Sequence, residues 1–236
     1  MSLFAIADLH LSFGGNMPMN IFKGWENHVR RLRENWNGIV GESDTVVIAG
    51  DISWGKSLET VLPDLEFISR ELRGRKIILK GNHDYWWASL SKMNRFLAEN
   101  NLNNISFLHN NAFIVENTVV CGTRGWFNEA NDKHCEKLQK REETRLELSA
   151  KQALEISGGG IESGGLEVCA FLHYPPVYGG FENHNIIDVL RRYGIKRCFY
   201  GHLHGTAHKN AVTGTHYGIE FSLISADFVS FTPLQV

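Results

Sequence analysis

Short, nearly unbroken apolar runs recur along the chain, and each stops abruptly on a polar cluster. Residues 3–7 run into Asp8, 45–49 into Gly50-Asp51, and 76–80 into Gly81-Asn82-His83-Asp84. Residues 167–172 run into His173, and 196–200 into Gly201-His202-Leu203-His204. Continuous apolar runs of this length suit strands buried on both faces. Between them the period changes. Trp25, Val29, Leu32, Trp36 and Ile39 fall on one helical face, with Arg30, Arg31, Arg33 and Glu34 turned elsewhere. Ser57 is a candidate N-cap for a second helix reaching about residue 72, in which Pro63 predicts a kink or a late start. A third helix is expected over about 88–99. Strands alternating with helices point to an α/β fold, whose ligands sit beyond the carboxyl ends of the strands. Every polar cluster lies at such an end.

After Asn101 the pattern shifts. Residues 105–108, 112–116 and 118–122 are closely spaced strand-like runs, punctuated by Asn110-Asn111 and Glu116-Asn117, and read as hairpins. Residues 211–231 repeat this style, so a second, mixed or antiparallel sheet is predicted. Between the two regions, 129–156 is highly charged and helical, with one modest apolar stripe of Leu146, Ala150, Ala153 and Leu154. It ends in Ser157-Gly158-Gly159-Gly160 and Ser163-Gly164-Gly165. Two readings stand: a surface helix with one solvated face, or a cap spanning 129–165 and hinged on its glycines. The whole chain, 1–236, reads as one domain carrying this insertion.

Composition narrows the classes. With 236 residues and a net charge of −2, the chain has no bulk electrostatic pull toward nucleic acid or an anionic membrane. No run approaches the ~18–20 apolar residues of a spanning helix. The first residues have no basic stretch of the signal-peptide kind before Asp8. Cys121, Cys135, Cys169 and Cys198 form no CxxC pair, and three sit in apolar runs, so a disulfide framework is not expected. A reducing, cytoplasmic compartment follows from that reading.

The polar clusters carry the chemistry. Each alone is weak, since DxH or GD arises often by chance. Together they place Asp8, His10, Asp51, Asn82, His173, His202 and His204 at strand ends on the ligand-binding side. Imidazole, carboxylate and amide donors suit first-row divalent metals, and the lack of cysteine argues against a structural zinc site. These ligands are too many for one catalytic ion that also holds water and substrate. They suit two ions sharing a carboxylate.

The order DxH, GD, GNHD, single His, GHxH resembles the calcineurin-like metallophosphoesterase superfamily, with matching blocks from Asp8 to His204. That resemblance implies a four-layer αββα sandwich of two mixed sheets flanked by helices, with a dinuclear centre at the strand ends. It implies that Asp8, His10 and His204 hold one metal and that Asn82, His173 and His202 hold the other, with Asp51 bridging. The ions would be divalent Mn, Fe or Zn. A hydroxide between them would attack the phosphorus of a small phosphomonoester, phosphodiester or nucleotide-type substrate. His83 would stabilise the transition state or protonate the leaving oxygen, with Asp84 setting its tautomer. A nuclease on the same scaffold and a non-catalytic metal-binding scaffold are the alternatives. Near-neutral charge speaks against the first, and the full ligand set against the second.

Other residues stay open. Trp54, Tyr85, Trp86, Trp87, Trp126 and Phe127 follow strand ends, where aromatics either stack on a flat leaving group or pack loops against the sheets. Tyr85 and Trp86 are the first candidates for a substrate wall. Arg124 either contacts a phosphate oxygen or makes a surface ion pair. His28, His109, His134, His184, His208 and His216 fit no ligand block.

Overall fold

The computed structural model describes residues 1–15, 17–126, 133–161 and 164–236, with the side chains of 133–136 outside that set. Phe127, the beginning of the charged segment at Glu129, and the side chains of His134 and Cys135 therefore lie outside the described residues. In chain order the elements begin with β1 (Leu3–Ile6), α1 (His28–Ile39), β2 (Thr45–Ala49), α2 (Leu58–Arg70), β3 (Arg75–Leu79), α3 (Leu90–Glu99) and β4 (Ile105–Phe107). Next come β5 (Phe113–Val115), β6 (Thr118–Thr123), α4 (Lys133–Ile156), β7 (Glu167–Leu172) and a short hairpin, β8 (Val177–Tyr178) with β9 (Phe181–Glu182). The chain closes with α5 (His184–Arg192), β10 (Arg197–Tyr200), β11 (Gly214–His216), β12 (Ile219–Leu223) and β13 (Leu234–Gln235).

Two mixed sheets result. The first has the order β13-β1-β2-β3-β4, with β1 to β4 parallel and β13 antiparallel to β1. The second runs β11-β12-β10-β7-β6-β5, parallel in its centre with an antiparallel strand at each edge.

Side-chain alternation explains why the strands read as unbroken apolar runs. Phe4, Ile6, Val46, Ile48 and Ile78 face a core with Leu32, Trp36, Leu65, Ile68, Met93 and Leu97 from α1, α2 and α3. Their neighbours Leu3, Ala5, Val47, Ala49, Ile77 and Leu79 face the other way, onto Val120, Cys169, Phe171 and Phe199 of the second sheet. There the Phe171 and Phe199 rings stack at 5.0 Å. On the far face, Val119, Cys121, Ala170, Leu172, Cys198 and Tyr200 meet Leu146, Ala150 and Ala153 of α4 and Ile186 and Leu190 of α5. The layers are therefore α, β, β, α.

Several local expectations need correcting. Residues 105–107 do not form a hairpin but pair in parallel with β3, because α3 supplies the crossover a parallel partner requires. The polar clusters come from both sheets, three from β1, β2 and β3 and two from β7 and β10. Trp25 is buried but precedes α1, which starts after Asn27 in left-handed conformation (φ 54°), and Ile39 is 45% exposed. Pro63 lies inside α2, which starts at Leu58 behind a reciprocal Ser57–Thr60 capping box, so no late start occurs. The tail forms the β11–β12 hairpin and then returns to the first sheet as β13. No helix among the described residues is long and apolar enough to cross a membrane. Cys121, Cys169 and Cys198 are free and buried.

Candidate metal centre

The two sheets are joined at their carboxyl edge, and the join sets the site. Ala7 N–H donates to the Ile224 carbonyl at 2.8 Å, and Ala226 N–H donates to Ala7 at 2.9 Å. Gly201 N–H donates to the His173 carbonyl at 3.1 Å. The end of β1 is thus stitched to the segment after β12 of the second sheet one residue from Asp8, and the two ligand loops of that sheet are tied to each other.

The backbone of these loops is strained. Asp8 (φ 62°), His10 (φ 47°), Asp51 (φ 50°) and His202 (φ 73°) all adopt the left-handed region that L-residues seldom enter. The glycines beside them follow from close approach. A Cβ at Gly81 would overlap the Asp51 backbone nitrogen and carboxylate, and one at Gly201 would lie 2.5 Å from both Ala7 and Asp8 Oδ2. The GNHD and GHxH spellings therefore have a steric cause.

All seven candidate ligands converge. His204 Nε2 lies 3.3 Å from His10 Nε2 and 3.4 Å from Asp8 Oδ1. His173 Nε2 lies 3.5 Å from Asp51 Oδ1, and His173 Nδ1 is 3.7 Å from Asp8 Oδ1. Asn82 Oδ1 sits between His173 Nε2 at 2.6 Å and His202 Nδ1 at 2.9 Å. Asp51 Oδ2 is 3.8 Å from His10 Nε2 and 3.9 Å from His83 Nε2. Two donor groups able to hold a cation overlap at Asp8: Asp8, His10 and His204, and Asp8, Asp51 and His173.

The electrostatics describe a cluster short of positive charge. Burial opposes ionisation of Asp8, but the imidazoles of His204, His173 and His10 outweigh it and hold its carboxyl well below the usual range. Burial, then the charge of Asp8, pushes Asp51 up to about 8. Burial also lowers His10, His173 and His83, and takes His202 down to about 3. His204 alone goes up, to about 10, since Asp8 and Asp227 overcome its burial. Two buried carboxyl groups among imidazoles of which His204 alone is held protonated suit divalent cations, which would reverse the pressure on Asp51.

Second contacts orient the rings. His173 Nδ1 is 3.1 Å from the Ala49 carbonyl, which leaves the Nε2 lone pair facing the cluster. His204 Nδ1 is 2.9 Å from Asp227 Oδ1, and Asp227 Oδ2 accepts from Gly205 N–H at 2.9 Å. Asp227 escaped the sequence reading, although it follows β12 just as the ligand blocks follow their strands. Trp54 stacks on His10 at 5.1 Å and tilts over His83 at 4.3 Å.

Residues 1–206, which include every one of the seven candidate ligands, match the family model described as calcineurin-like phosphoesterase. The chain belongs to that family. A 79-residue stretch is 39% identical to the Gene 66 protein of Mycobacterium phage L5, covering 33% of this chain and 37% of that protein. The chain thus spans well under two thirds of that relative's length. Two solved structures share the fold of this phosphoesterase-family chain. TT1561 of Thermus thermophilus aligns with a TM-score of 0.60 at 9% identity, covering 99% of this chain and 97% of that one. A protein of unknown function from Aquifex aeolicus, AQ665, aligns with a TM-score of 0.51 at 13% identity, covering 99% and 95%.

Within this calcineurin-like chain, two expected contacts differ from what is observed. Asp84 makes no hydrogen bond to the His83 ring, whose Nδ1 is buried without a hydrogen-bond partner among the described residues. Its carboxylate instead accepts from Ile52 N–H (2.9 Å), Ser53 N–H (3.3 Å), Gly81 N–H (2.7 Å) and Trp86 Nε1–H (3.0 Å). It therefore ties the β2 loop to the β3 loop. Burial and the neighbouring Asp51 push its pKa up to about 7, against the Gly81 and Ile52 N–H groups and His173. Trp86 is not a substrate wall: it is 2% exposed, packs into the core and spends its N–H on Asp84. Tyr85 is 62% exposed at the rim. The Arg124 carbonyl accepts from His173 and Tyr174 N–H, while its guanidinium lies 3.9 Å from Glu142 and over the Trp126 ring at 5.7 Å.

Proposed function

We propose that the chain is a metal-dependent phosphoesterase acting on small phosphomonoester, phosphodiester or nucleotide-type substrates at two divalent transition-metal ions, Mn, Fe or Zn. The two overlapping donor groups, with Asp51 Oδ2 3.8 Å from His10 of the first and Oδ1 3.5 Å from His173 of the second, carry this reading. Asp8, His10 and His204 would hold one ion; Asn82, His173 and His202 would hold the other, with Asp51 between them. Bound there, such ions supply an acidified water and positive charge for the phosphoryl oxygens.

The chain's own groups do the rest. His83 stands at the mouth, 33% exposed and 3.9 Å from Asp51, and presents an imidazole to the phosphoryl or leaving oxygen. Trp54 fixes the planes of His83 and His10. Asp84 positions the His83 loop through backbone N–H groups rather than touching the reacting atoms. Tyr85 faces the organic part of the ester at the rim.

A panel of p-nitrophenyl phosphate, bis-p-nitrophenyl phosphate and nucleotides, run with Mn, Fe or Zn and then with chelator, tests the reading. Metal-dependent release that chelation abolishes is expected. No hydrolysis of any ester with any metal would rule it out. A single-stranded DNA arm separates a nuclease.

A further inference from the structure

Between α4 and the loops that follow β3 and β6 lies a cavity of about 320 Å³ whose lining includes Lys80, Arg124, Arg141 and Arg145. None of its described lining residues is acidic. Trp87, Ala88 and Leu108 supply its apolar side. The charges arrive from separate elements: Lys80 directly after β3, Arg124 after β6, and Arg141 and Arg145 one turn apart on α4.

One buried carboxylate organises the three arginines. Glu142 is fully buried, and its Oε1 lies 2.7 Å from Arg145, 3.9 Å from Arg124 and 3.9 Å from Arg141. Its Oε2 accepts from Thr123 Oγ1 at 3.0 Å. Among the described residues a single negative charge therefore faces three guanidiniums and, with Lys80, four cations share the cavity. Arg124 Nε is also buried with no hydrogen-bond partner among the described residues. A set of preorganised forks with unspent donors is what an oxyanion with several oxygens requires.

The cavity is tied to the catalytic side. Lys80 is two residues from Asn82, and the Arg124 carbonyl holds the His173 and Tyr174 amides at 3.2 and 2.9 Å. The loop after β3 thus carries both a candidate metal ligand and a cation of the cavity, and Arg124 holds the backbone of a second ligand loop. The cavity's volume is at the small end of small-molecule sites, which favours a compact ligand over a polymer strand.

We propose that this cavity is a subsite for a second phosphate group, so that the favoured substrate is a small molecule carrying two phosphates. This rests on the phosphoesterase reading and narrows its substrate class. AMP and adenosine 3′,5′-bisphosphate, compared on the metal-loaded enzyme, give the kinetic test. The bisphosphate should lead in kcat/KM by about tenfold or more, and Arg141→Gln should erase most of that lead. Arg141 is 48% exposed, so its loss leaves the fold intact. Arg192→Gln, on α5 and paired to Glu147, serves as the control and should keep the preference.

Inorganic phosphate titrated calorimetrically into the same metal-loaded proteins tests the subsite without turnover. Two phosphate sites per wild-type chain and one in Lys80→Gln/Arg141→Gln are expected. Equal use of the two nucleotides, a preference that survives Arg141→Gln, or identical phosphate stoichiometry in the variant would overturn the subsite. Absent turnover on every ester, with the second phosphate site still lost in the variant, would remove the proposed activity and leave the subsite standing.

Discussion

In one region of the molecule, seven donors from Asp8 to His204 stand within four residues of the ends of β1, β2, β3, β7 and β10. In another, Lys80, Arg124, Arg141 and Arg145 reach a common cavity from two loops and the middle of a long helix. The first set converges because parallel strands present their carboxyl ends at one edge, so short motifs become a three-dimensional cluster without further instruction. The second converges only because α4 docks on β6 through Leu146, Ala150 and Ala153. Strand-end groups are placed by topology, whereas the basic cavity is placed by packing.

Substitutions can separate the two sides. The largest effect is expected from His83→Ala, which should retain bound metal while kcat falls by roughly 10²–10⁴-fold. Full activity with metal retained would remove His83 from the chemistry. Asp227→Asn weakens the hold on His204, and a metal titration should show affinity reduced about 10–100-fold. Unchanged affinity would make Asp227 a bystander.

Glu142→Gln acts on the packed side. It strips three guanidiniums of their shared counter-charge, so denaturant unfolding should lose about 2–3 kcal/mol with metal content unaltered. Loss of metal in this variant would show that the two sides are not separable.

The smallest effect lies at the other end of β3 from Lys80. Lys76 is buried, donates to the Leu72 carbonyl, and burial brings its pKa down to about 8 from an ordinary 10.5. Below pH 8 the folded state carries the cost of a buried charge. Between pH 8 and 10.5 the unfolded chain binds more protons, so stability rises with pH and that cost fades. Lys76→Met should therefore stabilise by about 1–3 kcal/mol at pH 7, with the gain shrinking toward pH 10. A gain independent of pH would assign it to packing.

This division also explains what could be read from the chain alone. The apolar runs ending in Asp8, Asp51, Asn82, His173 and His202 reveal both strand and site, because burial on two faces and ligand placement act on the same few residues. Even there the sheet assignment slipped: residues 105–107 look like a hairpin strand, since a three-residue run carries no sign of parallel or antiparallel pairing. Trp86 was misplaced for a related reason. Its neighbour Tyr85 is exposed, and nothing local tells which of two adjacent aromatics turns inward toward Asp84. Glu142 is one acid among many on α4, and only the docking of that helix marks it as buried. Asp227 left a faint trace, as an acid after a strand.

Metal content offers the most direct test of the account. Purified wild-type protein and Asp51→Asn should be analysed for bound metal after saturation with Mn and removal of the excess. Two ions per wild-type chain, with both lost or weakened together in Asp51→Asn, is the outcome expected of a carboxylate standing between two sites. A wild-type chain that retains no ion, or an Asp51→Asn chain that still holds two, would contradict it.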